Sequence, residues 1–123
     1  MNDYVNRQRQ GYDVDAALVP AATVTATGNG DGIDIGENVE LDIRMQVRGT
    51  VSGTTPTLDV TIEESDDNSS FSAIPGAPAF TQATATGVDE RIMVRTTKRY
   101  VRAVKTVGGT TPSFGDTEVM IQS

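Results

Sequence analysis

The sequence predicts an all-β, antiparallel fold: a β-sandwich or jelly-roll-like domain of about eight strands with an extended N-terminal arm. Three observations predict it. Residues 39–47 alternate Val39, Leu41, Ile43, Met45 and Val47 with Glu40, Asp42, Arg44 and Gln46; successive strand side chains point to opposite faces, so this stretch has one apolar and one charged face. A Thr-, Gly- and Pro-rich phrase occurs twice, as V-S-G-T-T-P-T-L at 51–58 and V-G-G-T-T-P-S-F at 107–114, each time between runs of β-branched residues. Short apolar runs recur at about 8–12-residue spacing with turn residues between them, and no helix of three turns is legible. A small closed barrel is the second choice of architecture.

Taken in order, residues 1–20 are the least regular segment and read as an arm, with the single domain at 21–123. The arm either frays, as termini do, or orders against a neighbouring subunit. Tyr4 and Tyr12 are two of the chain's three tyrosines, and Tyr suits interfaces because it is apolar with a polar tip. Tyr4, Arg7, Arg9 and Tyr12 are therefore the interface candidates. Residues 21–27 suit a strand, 28–32 a Gly-rich turn, and Ile33 and Ile35 a short strand ended by Gly36-Glu37-Asn38. After the strand at 39–47, the first Gly-Thr-Thr-Pro phrase reads as a turn: Gly53 can take positive φ, and Pro56 fixes φ and donates no hydrogen bond. Leu58, Val60 and Ile62 then alternate with Asp59, Thr61 and Glu63, which predicts a hairpin of 39–48 against 57–64. The polar run at 64–69 is a tight turn. Phe71 and Ile74 mark a short return strand broken by Pro75-Gly76-Ala77-Pro78, Ala79-Phe80-Thr81 a brief edge segment, and 82–89 a loop. Ile92 and Val94 alternate with Arg91, Met93 and Arg95. Residues 100–107 carry apolar groups on both faces and read as a central strand. The second phrase, with Gly109 and Pro112, reads as another turn before a closing strand at 119–121. Two matched strand–turn–strand units are the simplest organisation.

Composition bounds the chemistry. At 123 residues the chain is one domain. Aromatics are 5% and Trp is absent, so the core falls to Val, Ile, Leu, Met and Ala. Cys and His are absent, which removes disulfides, thiolate metal sites and any Ser–His–Asp arrangement. A Ser–Lys variant would rest on Lys98 and Lys105, neither in a motif. A net charge of −7 is the wrong sign for a phosphate backbone or an anionic membrane, so neither nucleic acid nor membrane is an expected partner. No apolar run approaches the roughly 20 residues of a membrane span, and Met1–Asn6 has no apolar h-region, so the expected place of synthesis and assembly is a cytoplasm.

Two acidic stretches raise the question of calcium: Asn29, Asp31, Asp34 and Glu37, and Glu63, Glu64, Asp66, Asp67 and Asn68. Hard cations favour oxygen ligands on flexible loops. Neither stretch has EF-hand spacing, and solvated turns that keep strands soluble account for them. Gly30-Asp31-Gly32 lacks the Gly-Lys-Ser/Thr and the helix of a phosphate loop. In Lys98-Arg99-Tyr100-Val101-Arg102 the two arginines face opposite ways on a strand, which makes them polar-face residues or intersubunit ion-pair donors. A glycosidase would need facing carboxylates in an aromatic-lined cleft, and aromatics are too few. No catalytic, cofactor or metal residues are assigned, and the chain is expected not to be an enzyme.

The stretch Thr57-Leu58-Asp59-Val60-Thr61-Ile62-Glu63-Glu64-Ser65-Asp66-Asp67-Asn68, followed by Phe71-Ser72-Ala73-Ile74-Pro75-Gly76, resembles small β-rich structural proteins of tailed bacteriophages. So does Lys98-Arg99-Tyr100-Val101-Arg102-Ala103-Val104 with its Gly-Thr-Thr-Pro-Ser-Phe sequel. The likeness spans about residues 39–122 and consists of texture and short phrases. It implies a virion component, first a capsid decoration (cement) protein that stabilises an expanded head and has the major capsid protein as partner. It also implies a homo-oligomer, for which a trimer is natural near a capsid threefold. The alternatives are a tail or head–tail connector component, or an Ig-like binding module. The resemblance supplies no catalytic residues, and the arm has no matching phrase.

Overall fold

The structure, a computed structural model, describes residues 16–122. They form eight strands and no helix: β1 Ala16–Val24, β2 Gly28–Asn29, β3 Ile33–Asp34, β4 Val39–Val47, β5 Val51–Ser65, β6 Ser72–Ala73, β7 Val88–Thr96 and β8 Tyr100–Gln122. All pairings are antiparallel, within one curled sheet.

β8 is the axis of this sheet. Along one side, β4 pairs with its C-terminal half (Val47 opposite Thr117, Ile43 opposite Ile121). The chain then passes through Arg48, whose N–H donates to the Asp116 carbonyl, and Gly49, whose N–H donates to Gly115. β5 continues along the same side, from Val51 opposite Phe114 to Ser65 opposite Tyr100. Along the other side run β1, from Ala16 opposite Ile121 to Val24 opposite Phe114, then β2 and β3, from Gly28 opposite Lys105 to Asp34 opposite Tyr100. Three long segments, 16–35, 100–122 and 39–65, thus lie side by side with the last in sequence in the middle. β7 extends the sheet beyond β4 in nine consecutive pairs from Val39–Thr96 to Val47–Val88.

The expected hairpin of 39–48 against 57–64 does not form, because each strand takes a different stretch of β8 as its partner. The two Gly-Thr-Thr-Pro phrases are not hairpin turns either. They pair with each other: Val51 opposite Phe114, Ser52 opposite Ser113, Thr54 opposite Thr110, Thr57 opposite Gly108 and Leu58 opposite Val107. Exchanging one phrase for the other maps this set of pairs onto itself, so the contact has a local twofold. Both phrases are bulged, with Gly53 at φ 111° and Gly109 at 101°, and with Thr55 and Thr111 each at 46°. In each copy the second Thr hydroxyl donates to the preceding carbonyl at 2.8 Å. Bulges bend strands and sharpen their twist, so the meeting of the two phrases is a corner of the curled sheet. Thr117 Oγ1 donates to the Phe114 carbonyl at 3.0 Å just beyond this corner, and the Val107 N–H donates to Thr27 Oγ1 at 2.9 Å on the β2 side.

Other boundaries shift as well. Residues 16–20, read as part of the arm, begin β1 and pair with β8; Leu18 and Val19 are buried there. Gly28 and Asn29, read as turn, pair with β8. Residues 100–107 and 119–121, read as two strands, are one strand of 23 residues. The edge contact expected at 79–81 falls instead at Ala83, which exchanges two backbone hydrogen bonds with Leu58. β7 starts at Val88, within the expected loop.

One core fills the fold. Ile43, Met45 and Val47 of β4, Leu58 and Val60 of β5, Val94 of β7, and Val101, Phe114 and Val119 of β8 are all essentially inaccessible. Each such aliphatic or aromatic side chain contributes about 1.5–3 kcal/mol by leaving water. The alternation at 39–47 is confirmed residue by residue, with every second side chain buried from Leu41 to Val47.

Candidate interaction surface

Tyr4, Arg7, Arg9 and Tyr12 lie outside the described residues, so the surface is built from 16–122. Its most organised part is the outward face of β7, β4 and the second half of β8. Strand alternation that buries Ile92, Val94 and Thr96 turns Asp89, Arg91, Met93 and Arg95 outward. On β4 it turns Asp42, Arg44 and Gln46 outward. Arg44 Nε and Nη2 donate to the two Asp89 oxygens at 2.7 and 2.6 Å. Arg48 reaches both Asp116 oxygens at 3.1 Å and Glu118 at 3.3 Å. Arg91 donates to Gln122 at 2.9 Å and stands 3.8 Å from Asp42. These bonds hold the Asp89 and Asp116 carboxyls below the usual carboxylate range, through Arg44 and Arg48 respectively. Met93 sits among them at 53% exposure, the one large apolar side chain left exposed among the described residues.

Five of the seven carboxylates in the two acidic stretches hold partners within the chain. Asp34 accepts from Arg99 Nη2 at 2.8 Å, and this bond lowers its pKa. Glu63 accepts from Arg102 at 2.7 Å, and the Arg102 guanidinium also stacks 4.3 Å from the Phe71 ring centroid. Lys98 Nζ donates to Asp66 at 3.0 Å. Asp67 closes its own turn: it accepts from the Ser70 and Ser69 N–H groups and from the Ser65 hydroxyl, which lowers its pKa in that order of cause. Glu64 points inward, where the Thr96 hydroxyl donates to it at 2.6 Å, and the Lys98 N–H donates to the same hydroxyl at 3.0 Å. Among the described residues, no three His, Cys, Asp or Glu side chains converge as a metal site would need. Arg99 lies in the bend before β8 and Arg102 on β8, so the two do not share a strand, and each has its acidic partner inside the chain.

Two open hollows flank the corner. One, of about 550 Å³, lies between the start of β5 (Val51, Gly53, Pro56) and Thr84–Thr86. The other, of about 260 Å³, lies between β1 and Asn29–Ile33, with Lys105 at its wall.

Sequence reasoning assigned no role to β7, although the signal was there: Met93 falls on the polar set of an otherwise charged alternation. The Thr96–Glu64 pair had no local signal, since its members are far apart in sequence. No protein-family model matches the chain, and no curated protein is similar to it.

Proposed function

We propose that this chain is a structural component of a tailed-bacteriophage virion, in first place a capsid decoration protein that binds the major capsid protein of an expanded head. The observation that supports the reading is the placement of the phrases on which the resemblance rests. Residues 57–65 and 100–108 are neighbours along β5 and β8, register for register. The likeness therefore covers one contiguous structural unit at the centre of the sheet. A decoration protein needs a stable scaffold and many repeated contacts, each small, to resist internal pressure. On this reading the curled sheet closes as a two-layer sandwich. Thr96, in the ladder with β4, reaches Glu64 on β5, so the two ends of the 39–65 segment meet across the core. The protein acts in the virion, is assembled in the host cytoplasm, and is homo-oligomeric.

The test mixes the purified chain with empty expanded heads of the phage that encodes it. Co-sedimentation, together with a higher temperature of shell disruption, is the expected result. Failure to bind expanded heads, with no thermal shift, overturns it. Rings or tubes of the chain alone under the electron microscope would instead place it in the tail or connector.

A further inference from the structure

The described fold has several strand edges, and all but one are blunted. A free edge is a row of unpaired N–H and C=O groups ready to template another strand, and proteins protect such rows with Pro, bulges, short length or outward Lys. β1 carries Pro20 and three register shifts. The first half of β5 carries Pro56 and the corner bulge. β2, β3 and β6 have two residues each. β7 has no bulge or shortening, and its one such device is charge: Asp89, Arg91 and Arg95 outward, and Glu90 on the core-facing set, where it accepts from the Thr81 N–H and hydroxyl. It is nine residues long, pairs with β4 without a single shift, and contains no Pro, Gly or Lys. It is bonded on one side only, and it carries Met93, 53% exposed.

We propose that the free edge of β7 pairs antiparallel with the β7 edge of a second copy of this chain, across a twofold axis at Ile92. The side chains choose both the occupant and the register. Directly opposed residues of an antiparallel pair share a face, so a continuous core face restricts the twofold to pass through a residue rather than between two. Centred on Ile92, the strands overlap over their full length. Asp89 then stands opposite Arg95 of the second copy, twice, and Arg91 opposite Met93, twice. Centring on Arg91 opposes Arg91 to itself, and centring on Met93 opposes Arg91 to Arg95 twice. Centring on Glu90 opposes two glutamates, and centring on Val94 shortens the overlap to Ile92–Thr96. Like charges directly opposite are destabilising and opposite charges favourable, so only the Ile92 register satisfies both charge and length. Arg95 has no ion pair or side-chain hydrogen bond among the described residues, so it is available. Asp89 already accepts from Arg44, but a carboxylate has about four acceptor sites and can take Arg95 as well. The Arg91 stem covers the Met93 side chain from the other copy. This contact is self-complementary and closed, and it does not depend on the virion reading.

The experiment is sedimentation velocity on the full chain, from about 1 to 500 μM, because a nine-residue ladder is small beside the roughly 1,600 Å² of a standard interface. The expected result is a reversible monomer–dimer equilibrium. Met93→Lys abolishes it by placing two lysines opposite two arginines. Arg95→Glu raises the dimer Kd roughly tenfold or more, as two attractive pairs become repulsive. Both positions are exposed, so the far-UV spectrum stays that of the parent. The double variant Arg91→Cys/Met93→Cys oxidises to a covalent dimer, while each single variant does so poorly, because only the 91–93 pair brings Cβ atoms within disulfide reach. A monomer over the whole range overturns the proposal. So does a closed trimer, or a dimer that neither charge variant weakens.

Discussion

The corner where the two Gly-Thr-Thr-Pro phrases cross makes a quantitative demand on two glycines. A Cβ built on Gly53 would lie 2.6 Å from the Thr111 carbonyl oxygen and 2.9 Å from Pro112 Cα; one built on Gly109 would lie 2.6 Å from the Thr55 oxygen and 3.0 Å from Pro56 Cα. All four obstacles are backbone atoms of the bulged residues in the facing phrase, so neither position can relax by turning a side chain aside. Backbone angles of φ 111° and 101° add strain of about 1–3 kcal/mol for any residue with a Cβ. With the displacement of the opposing strand, Gly53→Ala and Gly109→Ala should each cost about 2–4 kcal/mol, a large part of the roughly 5–15 kcal/mol that holds a domain together. Because the local twofold exchanges the two sites, the costs should agree within about 1 kcal/mol. Because each clash moves the same pair of strands, the double variant should cost less than their sum. Urea unfolding followed by circular dichroism measures all three. Gly28→Ala is the control: its Cβ meets nothing within 4 Å, and it should change stability by no more than about 1 kcal/mol. Unequal costs at Gly53 and Gly109, or costs no larger than the control's, would refute the crossed-phrase corner.

Thr96→Val removes the hydroxyl that donates to the buried Glu64 and accepts from Lys98 N–H. It should destabilise by about 1.5–3 kcal/mol and lower Tm by roughly 6–12 °C for a domain of this size, read by thermal melting; a shift under about 3 °C counts against it. Acid should destabilise the fold. Asp34, Asp67, Asp89 and Asp116 have folded pKa values below the usual 3.8, so their contribution is complete above the unfolded value and is lost as pH falls through the folded ones. Urea midpoints should therefore be flat from about pH 7 to 5 and drop below about 4, and Asp67→Ala should shallow that drop. Lys98→Ala breaks only the exposed pair with Asp66 and should leave the urea midpoint nearly unchanged.

What the sequence makes legible is faces, and what it leaves hidden is neighbours. Alternation at 39–47 and at 91–95 states which side chains turn inward, and the burial of Leu41, Ile43, Met45, Ile92 and Val94 follows it. It says nothing about which strand lies alongside, so nearest-in-sequence pairing was the default, and β4 and β5 do not obey it. The Gly-Thr-Thr-Pro phrase misled for a physical reason. Positive φ and a missing N–H are what a hairpin turn needs, and a two-sided bulge needs them too. Only the duplication separates the cases, since two identical bulged strands can satisfy one another across a twofold and two hairpin turns need not meet. The acidic loops were readable as turns, but their arginine and lysine partners were not, because Asp34–Arg99 and Glu63–Arg102 join segments that sequence keeps far apart. The interface candidates Tyr4, Arg7, Arg9 and Tyr12 stand outside the described residues.

The position of β8 has a consequence for how the domain holds together. Segments 16–35 and 39–65 do not pair with each other; both pair with 100–122. Neither flank can dock before the last strand is in place; the β4–β7 ladder is itself long-range and the local hairpin of β5 with β6 has only two pairs, so pairing of this range is slow. It should also make unfolding all-or-none, because opening β8 releases both flanks at once. Amide exchange distinguishes this from a sheet of two independent hairpins. The amides of β8 that bond β4 and β5 should exchange only by global unfolding, with protection matching the urea-derived stability at both ends of the strand. Those of β7 that point away from β4 should exchange fastest of any long strand at concentrations where the chain is monomeric. If the first and second halves of β8 instead show different opening energies, the two Gly-Thr-Thr-Pro phrases form a hinge between separable units rather than a corner in one.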